Sequence, residues 1–194
     1  CTCPERIFVH EDVHDDFINK VKDKMDALQV GDPYDENTDY GAIMNQKQLD
    51  SIDDKVQEAI KNGADLVLGG HKLDREGFFY APTILDHVKA TDNAFKEEIF
   101  GPVLAITTYT NFDDVIDMAN DTNAGLSSYI FSESLKEIMT ATECLKFGEV
   151  YANCEAEEAI NGYHAGWRES GLGGADGIHG FEEYYNTTVS YIRW

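Results

Sequence analysis

Short apolar runs alternate along the chain with stretches whose apolar residues recur at helical spacing. Residues 7–10 form an apolar run typical of a strand, and residues 12–29 carry an apolar residue every three or four positions. A second amphipathic helix is predicted to end at Asn62-Gly63, a common helix stop. The remaining predicted elements are strands at 64–68, 78–85, 102–109, 127–131, 149–153 and 187–194, and helices at about 112–120 and 134–146.

This order of elements predicts the fold class. Strands separated by helices imply right-handed crossovers and an α/β fold, a mainly parallel sheet with helices on both faces. A chain of 194 residues is long enough for one such domain with a sizeable core, which we place at residues 1–180. Residues 181–194 are predicted as an appended segment, whose β-branched and aromatic strand must pair with something.

Composition and charge limit the kinds of molecule that the chain is expected to bind. The chain has 15 Lys and Arg residues against 37 Asp and Glu, a formal charge of −22, which argues against nucleic acid or an anionic membrane as a partner. Its 4 cysteines have the spacing of neither a zinc framework nor a disulfide scaffold, so no metal site is predicted. With no basic-then-apolar leader and no apolar run near ~18 residues, we expect a cytoplasmic protein.

The first residue is a candidate nucleophile. A reactive cysteine needs an accessible thiolate in an electropositive neighbourhood, and Arg6 is the only nearby cation in the sequence before residue 20. Local sequence alone leaves other interpretations of Cys1 open, including a lipidated cysteine and a spectator thiol. Cys3, two residues further on, is an alternative reactive residue.

Two further stretches carry candidate chemistry. Glu98 and Phe100 precede a predicted strand, where a loop can project side chains into a cleft, although a helix end with Phe100 as core filler fits equally. The glycine-rich loop after the strand at 149–153 contains Glu158 and His164, a carboxylate and an imidazole suited to a polar substrate. A solvated carboxylate and an exposed histidine remain the alternative for that pair.

Several motifs resemble, in the same order, the carboxy-terminal part of the NAD(P)-dependent aldehyde dehydrogenases. The similarity extends over essentially the whole chain, and Phe147-Gly148-Glu149 together with residues 162–168 is most similar to the lactaldehyde/glycolaldehyde dehydrogenase branch. The motifs are Cys1-Thr2-Cys3-Pro4-Glu5-Arg6, Leu68-Gly69-Gly70, Pro82-Thr83-Ile84, Glu98-Ile99-Phe100-Gly101-Pro102-Val103, Ala119-Asn120, Gly125-Leu126, Ser170-Gly171 and Gly180-Phe181-Glu182-Glu183-Tyr184.

The resemblance implies a role for each matching position. Cys1 matches the catalytic cysteine, which attacks an aldehyde to give a thiohemiacetal; hydride passes to the nicotinamide of NAD or NADP, and the thioester is hydrolysed to the acid. Glu98 matches a residue that hydrogen-bonds the nicotinamide ribose, Phe100 one that packs beside the ring, and Gln48 one that reaches a cofactor ribose.

The same resemblance implies a substrate and an assembly. Glu158 and His164 match positions that line the aldehyde pocket, which suits a small hydroxylated aldehyde. Residues 181–194 match a segment whose strand crosses to a neighbouring subunit, so a homo-oligomer is expected.

Parts of the family pattern have no match in this sequence. The nucleotide-binding domain, the general-base glutamate and the asparagine of the oxyanion hole are not found. An oxyanion hole contributes about 10²–10³ in rate, and general acid–base catalysis about 10²–10⁴. We therefore predict that the chain alone is inactive, does not bind the cofactor by itself, and requires an N-terminal cofactor domain as its partner.

Two other classes of protein remain as alternatives. In an N-terminal-cysteine hydrolase the α-amine of Cys1 would act as the base, which explains the first residue but none of the later motifs. A non-catalytic assembly module would retain only the fold and the terminal strand.

Overall fold

The computed structural model describes residues 2–194, and these residues divide into two compact units. The larger unit comprises Cys3–Met118, and the smaller comprises Ala119–Trp194 together with Thr2. This boundary falls elsewhere than the predicted one after residue 180, and the separate role of residues 181–194 stays a prediction.

The larger unit contains four strands and four helices, the last of which runs two residues past the unit boundary. They are β1 (Arg6–His10), α1 (His14–Asp26), α2 (Gln46–Lys61), β2 (Asp65–Leu68), β3 (Thr83–Asp86), α3 (Asn93–Lys96), β4 (Val103–Tyr109) and α4 (Phe112–Asn120).

The four strands of the larger unit form one sheet in the order β1-β4-β3-β2. The β1–β4 and β3–β4 pairs are parallel, which confirms the predicted mainly parallel sheet, whereas β2 and β3 are antiparallel. No helix lies between β2 and β3 in the chain, so this connection can return antiparallel without the crossover that a parallel pair requires.

Two clusters of apolar side chains follow from the alternation of residues along the strands. Val103 and Ala105 of β4 pack with the buried face of α2. Leu104 and Ile106 point the other way, into a cluster that includes apolar residues of α1. The sheet is therefore covered by helices on both faces, as predicted.

Local signals set the ends of the long helices. The Asn45 side chain accepts a hydrogen bond from the Gln48 N–H at 2.9 Å and caps the start of α2. α2 ends before Gly63, whose φ of 105° is readily adopted only by glycine. α1 is shorter than the predicted 12–29, since residues 11–13 form a 3₁₀ turn and the helix ends at Asp26.

The smaller unit contains four short strands and two helices. They are β5 (Ser127–Ile130), α5 (Leu135–Cys144), β6 (Glu149–Ala152), β7 (His164–Ala165), β8 (Gly174–Ala175) and α6 (Gly177–Glu182). β5 and β6 pair in parallel, as their separation by a helix predicts, and β7 and β8 form a two-residue antiparallel ladder within the glycine-rich loop that the sequence pattern did not indicate.

The predicted terminal strand is not formed. Residues 185–194 adopt neither helix nor strand, because a strand exists only when a neighbour receives its hydrogen bonds, and none of residues 2–184 lies alongside as such a neighbour. Val189, Tyr191, Ile192 and Trp194 are all exposed. None of the helices within residues 2–194 is long and apolar enough to cross a membrane.

Candidate functional site

The predicted nucleophile, Cys1, lies outside the described residues, but its neighbours are placed. The Tyr129 hydroxyl donates a hydrogen bond to the Thr2 carbonyl at 2.6 Å, which ties the start of the chain to β5 within the smaller unit. Desolvation, followed by the Glu5 carboxylate, raises the pKa of the Cys3 thiol. A raised pKa keeps a thiol protonated, so Cys3 is poorly suited to be the reactive residue.

In the larger unit, the loop that carries Glu98 and Phe100 is held by its backbone. The Glu5 carboxylate accepts hydrogen bonds from the N–H groups of Ile99 at 3.0 Å and Phe100 at 3.1 Å. Burial raises the pKa of Glu5, an effect that these two N–H donors oppose. One carboxylate thus anchors consecutive residues of the loop.

Two side chains of α2 hold the opposite side of the same loop. Gln48 Nε2 donates to the carbonyls of Ile99 at 2.9 Å and Phe100 at 3.3 Å. Lys55 Nζ donates to the Glu98 carbonyl at 2.7 Å. The loop is therefore fixed from its N–H side by Glu5 and from its carbonyl side by α2.

The side chains of Glu98 and Phe100 project from this fixed backbone. Glu98 is exposed, and Phe100 is 59% exposed with a positive φ of 52°. The interpretation of Phe100 as core filler is therefore wrong. Gly101 follows, where an added Cβ would lie 2.6 Å from Ile52 Cδ1, so the loop packs closely onto α2.

In the smaller unit, His164 and Glu158 lie together with a third residue that the sequence argument did not assign. His164 Nδ1 lies 2.9 Å from Glu149 Oε1 and 3.8 Å from Glu158 Oε1. The hydrogen bond with Glu149 raises the pKa of His164, with smaller contributions of the same sign from nearby carboxylates. Glu158 is the exposed member of the three.

Glu149 is partly buried and has an unused acceptor. Its side chain is 13% exposed, and its Oε2 is buried with no hydrogen-bond partner among residues 2–194. Leaving a buried carboxylate oxygen unpaired is unfavourable unless a ligand or water meets it. Glu149 was visible in the sequence only as part of the Phe147-Gly148-Glu149 motif.

Two tyrosines extend the polar cluster toward the start of the chain. Tyr151 follows Glu149 by two positions on the same face of β6, and Tyr129 of β5 stacks on it with ring centres 5.1 Å apart. Desolvation, with the carboxylates of Glu149 and Glu158, raises the pKa of Tyr151 to about 12, so its hydroxyl stays neutral. Only the β5–β6 register, which the sequence did not specify, could have grouped these residues.

A glycine permits the approach of β7, which carries His164, to β6. A Cβ on Gly148 would lie 1.6 Å from the Ala165 carbonyl oxygen, so no other residue fits there without moving the backbone. The β7–β8 ladder then pairs His164 with Ala175 and fixes the direction of the loop. The His164–Glu149 contact is thus set by backbone packing as well as by charge.

Comparisons with known proteins match the whole chain. A sequence model of the aldehyde dehydrogenase family matches residues 1–189. The chain is 41% identical to the lactaldehyde dehydrogenase of Escherichia coli (strain K12), over 100% of this chain and 40% of that protein. It is 36% identical to a D-glyceraldehyde dehydrogenase (NADP(+)) of Picrophilus torridus, again over 100% of this chain and 40% of the relative.

Solved structures agree with the sequence matches. The crystal structure of E. coli lactaldehyde dehydrogenase superposes with a TM-score of 0.95 at 41% identity, covering 99% of this chain and 40% of that one. A 3,6-anhydro-L-galactose dehydrogenase in complex with NAP superposes with a TM-score of 0.90 at 38% identity, covering 95% and 39%. The chain therefore spans about 40% of the length of the relatives it matches.

Proposed function

The chain belongs to the aldehyde dehydrogenase family, and we propose that it forms the thiol-bearing part of an enzyme that oxidises a small hydroxyaldehyde to its carboxylic acid with NAD or NADP. Because it spans about 40% of the relatives' length, the proposal includes a cofactor-binding domain outside these 194 residues. The observation that carries the substrate class is the Glu149–His164 pair, with the exposed Glu158 carboxylate 3.8 Å from His164 Nδ1.

The proposed reaction begins at Cys1. Its thiolate adds to the aldehyde carbon, a C–S bond forms, and the carbonyl oxygen becomes the oxyanion of a thiohemiacetal. The nicotinamide supplies the hydride acceptor when bound. Water then displaces the thiolate from the resulting thioester, releasing the acid and a proton, so that one aldehyde and one water give one acid with two electrons removed.

The larger unit offers side chains that fit the nicotinamide half of the cofactor. Glu98 presents an exposed carboxylate, which accepts hydrogen bonds from vicinal hydroxyls, and Phe100 presents an exposed ring face. The amide nitrogen of Gln48 is occupied by the loop carbonyls, so we assign Gln48 to positioning the loop. If Gln48 contacts a ribose directly, its Oε1 is the atom that makes the contact.

The smaller unit offers side chains that fit a substrate hydroxyl. The hydroxyl of a 2-hydroxyaldehyde can donate to the exposed carboxylate of Glu158 and accept from His164, whose Nδ1 is held by Glu149. An apolar aldehyde would offer these two groups no hydrogen bond, which costs about 1–3 kcal/mol for each polar group that it cuts off from water. Relatives named for lactaldehyde and D-glyceraldehyde support the same substrate class.

The terminal segment fits an interface with a second copy of the chain. Its exposed apolar residues include Val189, Ile192 and Trp194, and it has no strand partner in the part of the chain that the structure describes. We therefore include a homo-oligomer in the proposal, with residues 181–194 at the subunit contact.

The proposal is tested in the enzyme that joins this chain to its cofactor domain. Cys1→Ser should abolish aldehyde oxidation, and the isolated chain should be inactive. His164→Phe should lower kcat/KM for lactaldehyde by roughly 5- to 100-fold more than for propanal, the equivalent of about 1–3 kcal/mol. His71→Phe, at an exposed histidine on the larger unit, is the matched control.

Each result separates the proposal from its alternatives. Full activity of Cys1→Ser would overturn the nucleophile, and equal losses on both aldehydes in His164→Phe would overturn the hydroxyl contact. Amide hydrolysis by the isolated chain would favour an N-terminal-cysteine hydrolase instead. A Cys1 that resists iodoacetamide in the joined enzyme, while an exposed thiol such as Cys154 reacts, would favour a non-catalytic assembly module.

A further inference from the structure

A second polar cluster lies in the larger unit, among residues to which the proposed reaction gives no role. His14 is the first residue of α1, Asp86 the last of β3, His87 follows it, and Asp65 is the first of β2. The antiparallel register places Asp65 directly opposite Asp86. We call these four residues the His14 cluster.

Donor atoms of three of them lie together, since one from each of His14, Asp86 and His87 falls within 4.8 Å of the other two. His14 Nε2 lies 2.9 Å from Asp86 Oδ2, and His87 Nδ1 lies 3.4 Å from the same oxygen. His87 Nδ1 also lies 3.2 Å from Asp65 Oδ2. In a tetrahedral site with metal–ligand bonds of 2.0–2.1 Å, neighbouring donor atoms are about 3.3 Å apart, close to these separations.

The two imidazole rings satisfy a separate geometric condition. The ring centres of His14 and His87 are 5.2 Å apart. Two imidazoles that bind one tetrahedral ion through nitrogens at 2.0–2.1 Å would have ring centres roughly 5 Å apart. The observed spacing therefore matches the spacing that a shared ion imposes.

Both ring nitrogens of His14 face carboxylates. Its Nδ1 lies 3.1 Å from Asp15 Oδ1, and its Nε2 faces the Asp86 carboxylate. A neutral imidazole has only one N–H. When Nδ1–H donates to Asp15, Nε2 points a lone pair at Asp86, so either a second proton or a metal ion must lie between them.

The surroundings favour a metal ion. Asp15 stands where a second-shell carboxylate orients a metal-bound histidine through its other nitrogen. The side chains of His14 and Asp86 are 12% and 6% exposed, whereas those of His87 and Asp65 are 52% and 73% exposed, which leaves an open path for an ion from solvent. The two carboxylates together would balance a divalent charge.

We propose that His14, Asp86 and His87 bind one Zn²⁺ ion that links α1 to the β2–β3 edge of the sheet, with Asp65 beside His87. Two nitrogen donors and one carboxylate oxygen suit Zn²⁺, whereas Ca²⁺ and Mg²⁺ prefer sites built of oxygens alone. Three protein ligands leave the fourth coordination position to a water molecule.

The test uses the full chain after chelator treatment. Isothermal titration with Zn²⁺ at mildly alkaline pH should show one site per chain. Loss of a residue that only orients a metal ligand weakens metal binding by about 10–100-fold, and His14→Gln or His87→Gln should weaken Zn²⁺ binding by more than that. Asp15→Asn should weaken it less than either. His71→Gln and His164→Gln, at histidines outside the cluster, should bind as the wild type does.

Co²⁺ gives a readout that does not depend on the variants folding. The wild-type chain with Co²⁺ should show the visible d–d absorption of a tetrahedral site without a thiolate charge-transfer band, and Zn²⁺ should displace it. Failure of the wild type to bind one ion would overturn the proposal and leave a protonated His14 between its carboxylates. A thiolate band, binding lost in His164→Gln, or binding unchanged in the double variant of His14 and His87 would also overturn it.

Discussion

The anchor of the Glu98–Phe100 loop can be tested by changing Glu5. Its carboxylate accepts the N–H groups of Ile99 and Phe100 at 3.0 and 3.1 Å. Ile99 is 0% exposed, so its N–H has no access to water if the acceptor is removed, whereas Phe100 is 59% exposed and its N–H can turn to solvent. Glu5→Ala and Glu5→Gln therefore differ in what they leave unpaired.

These differences set the expected magnitudes. Glu5→Ala leaves the buried Ile99 N–H unsatisfied, which costs about 1–3 kcal/mol. A loss of about 2 kcal/mol corresponds to a fall in Tm of roughly 4–8 °C for a chain of this size. Glu5→Gln keeps one oxygen acceptor for the Ile99 N–H. It also removes the charge of a carboxylate whose pKa is already raised by burial, so we expect the free energy of unfolding to fall by less than about 1 kcal/mol.

Thermal and urea unfolding of both variants measure the loss, and hydrogen exchange reports on the loop itself. The Ile99 amide should exchange faster in Glu5→Ala and stay protected in Glu5→Gln. Glu76→Ala, at an exposed carboxylate, should leave both measurements unchanged. Equal destabilisation by the two Glu5 variants would mean that the charge of Glu5, and not the pairing of Ile99, stabilises the loop, and the reasoning would be refuted.

The smaller unit provides a steric test and a pH test. Gly148→Ala should cost more than about 3 kcal/mol by urea unfolding, because the Cβ would lie 1.6 Å from the Ala165 oxygen, whereas Gly173→Ala, whose nearest contact would be 3.7 Å, should cost under about 1 kcal/mol. Since Glu149 raises the pKa of folded His164 above 6.5, the stability from this pair should be complete below pH 6.5 and be lost as pH rises through the folded pKa. His164→Gln should remove that part of the pH dependence, and an NMR titration of His164 with a midpoint at or below 6.5 would contradict it.

The strands and helices were predictable where apolar spacing and local caps agree. α4 was predicted within its observed bounds, and the end of α2 at Asn62-Gly63 is as expected. The antiparallel β2–β3 pair and the short β7–β8 ladder were not predicted, because both depend on which backbone lies alongside and not on side-chain periodicity. The terminal strand was predicted from propensity alone, which does not supply a hydrogen-bonding neighbour.

The candidate site was predictable only where a motif marks it. Glu98 and His164 belong to such motifs, and the structure leaves Glu98 exposed and pairs His164 with Glu149. Glu5 acts on residues 94 and 95 positions away, and Glu149 reaches His164 15 positions on, across a turn whose path periodicity does not specify. The sequence therefore indicates which residues have reactive or polar side chains. It does not indicate which carboxylates, distant along the chain, hydrogen-bond to them and position them.

The acidic residues likewise show that the type of a residue can be read from the sequence whereas its burial in the fold cannot. Not all of the acidic residues behind the charge of −22 lie at the surface, since Asp86 and Asp92 are only 4% and 1% exposed. Asp92 accepts hydrogen bonds from the Asn62 side chain and the Lys89 backbone, and Asp86 accepts one from His87 N–H while it also contacts His14. A buried carboxylate is retained only where such donors or a cation compensate its desolvation. The buried carboxylates therefore mark fixed points of the fold, and Asp86, the carboxylate among the proposed zinc ligands, is one of them.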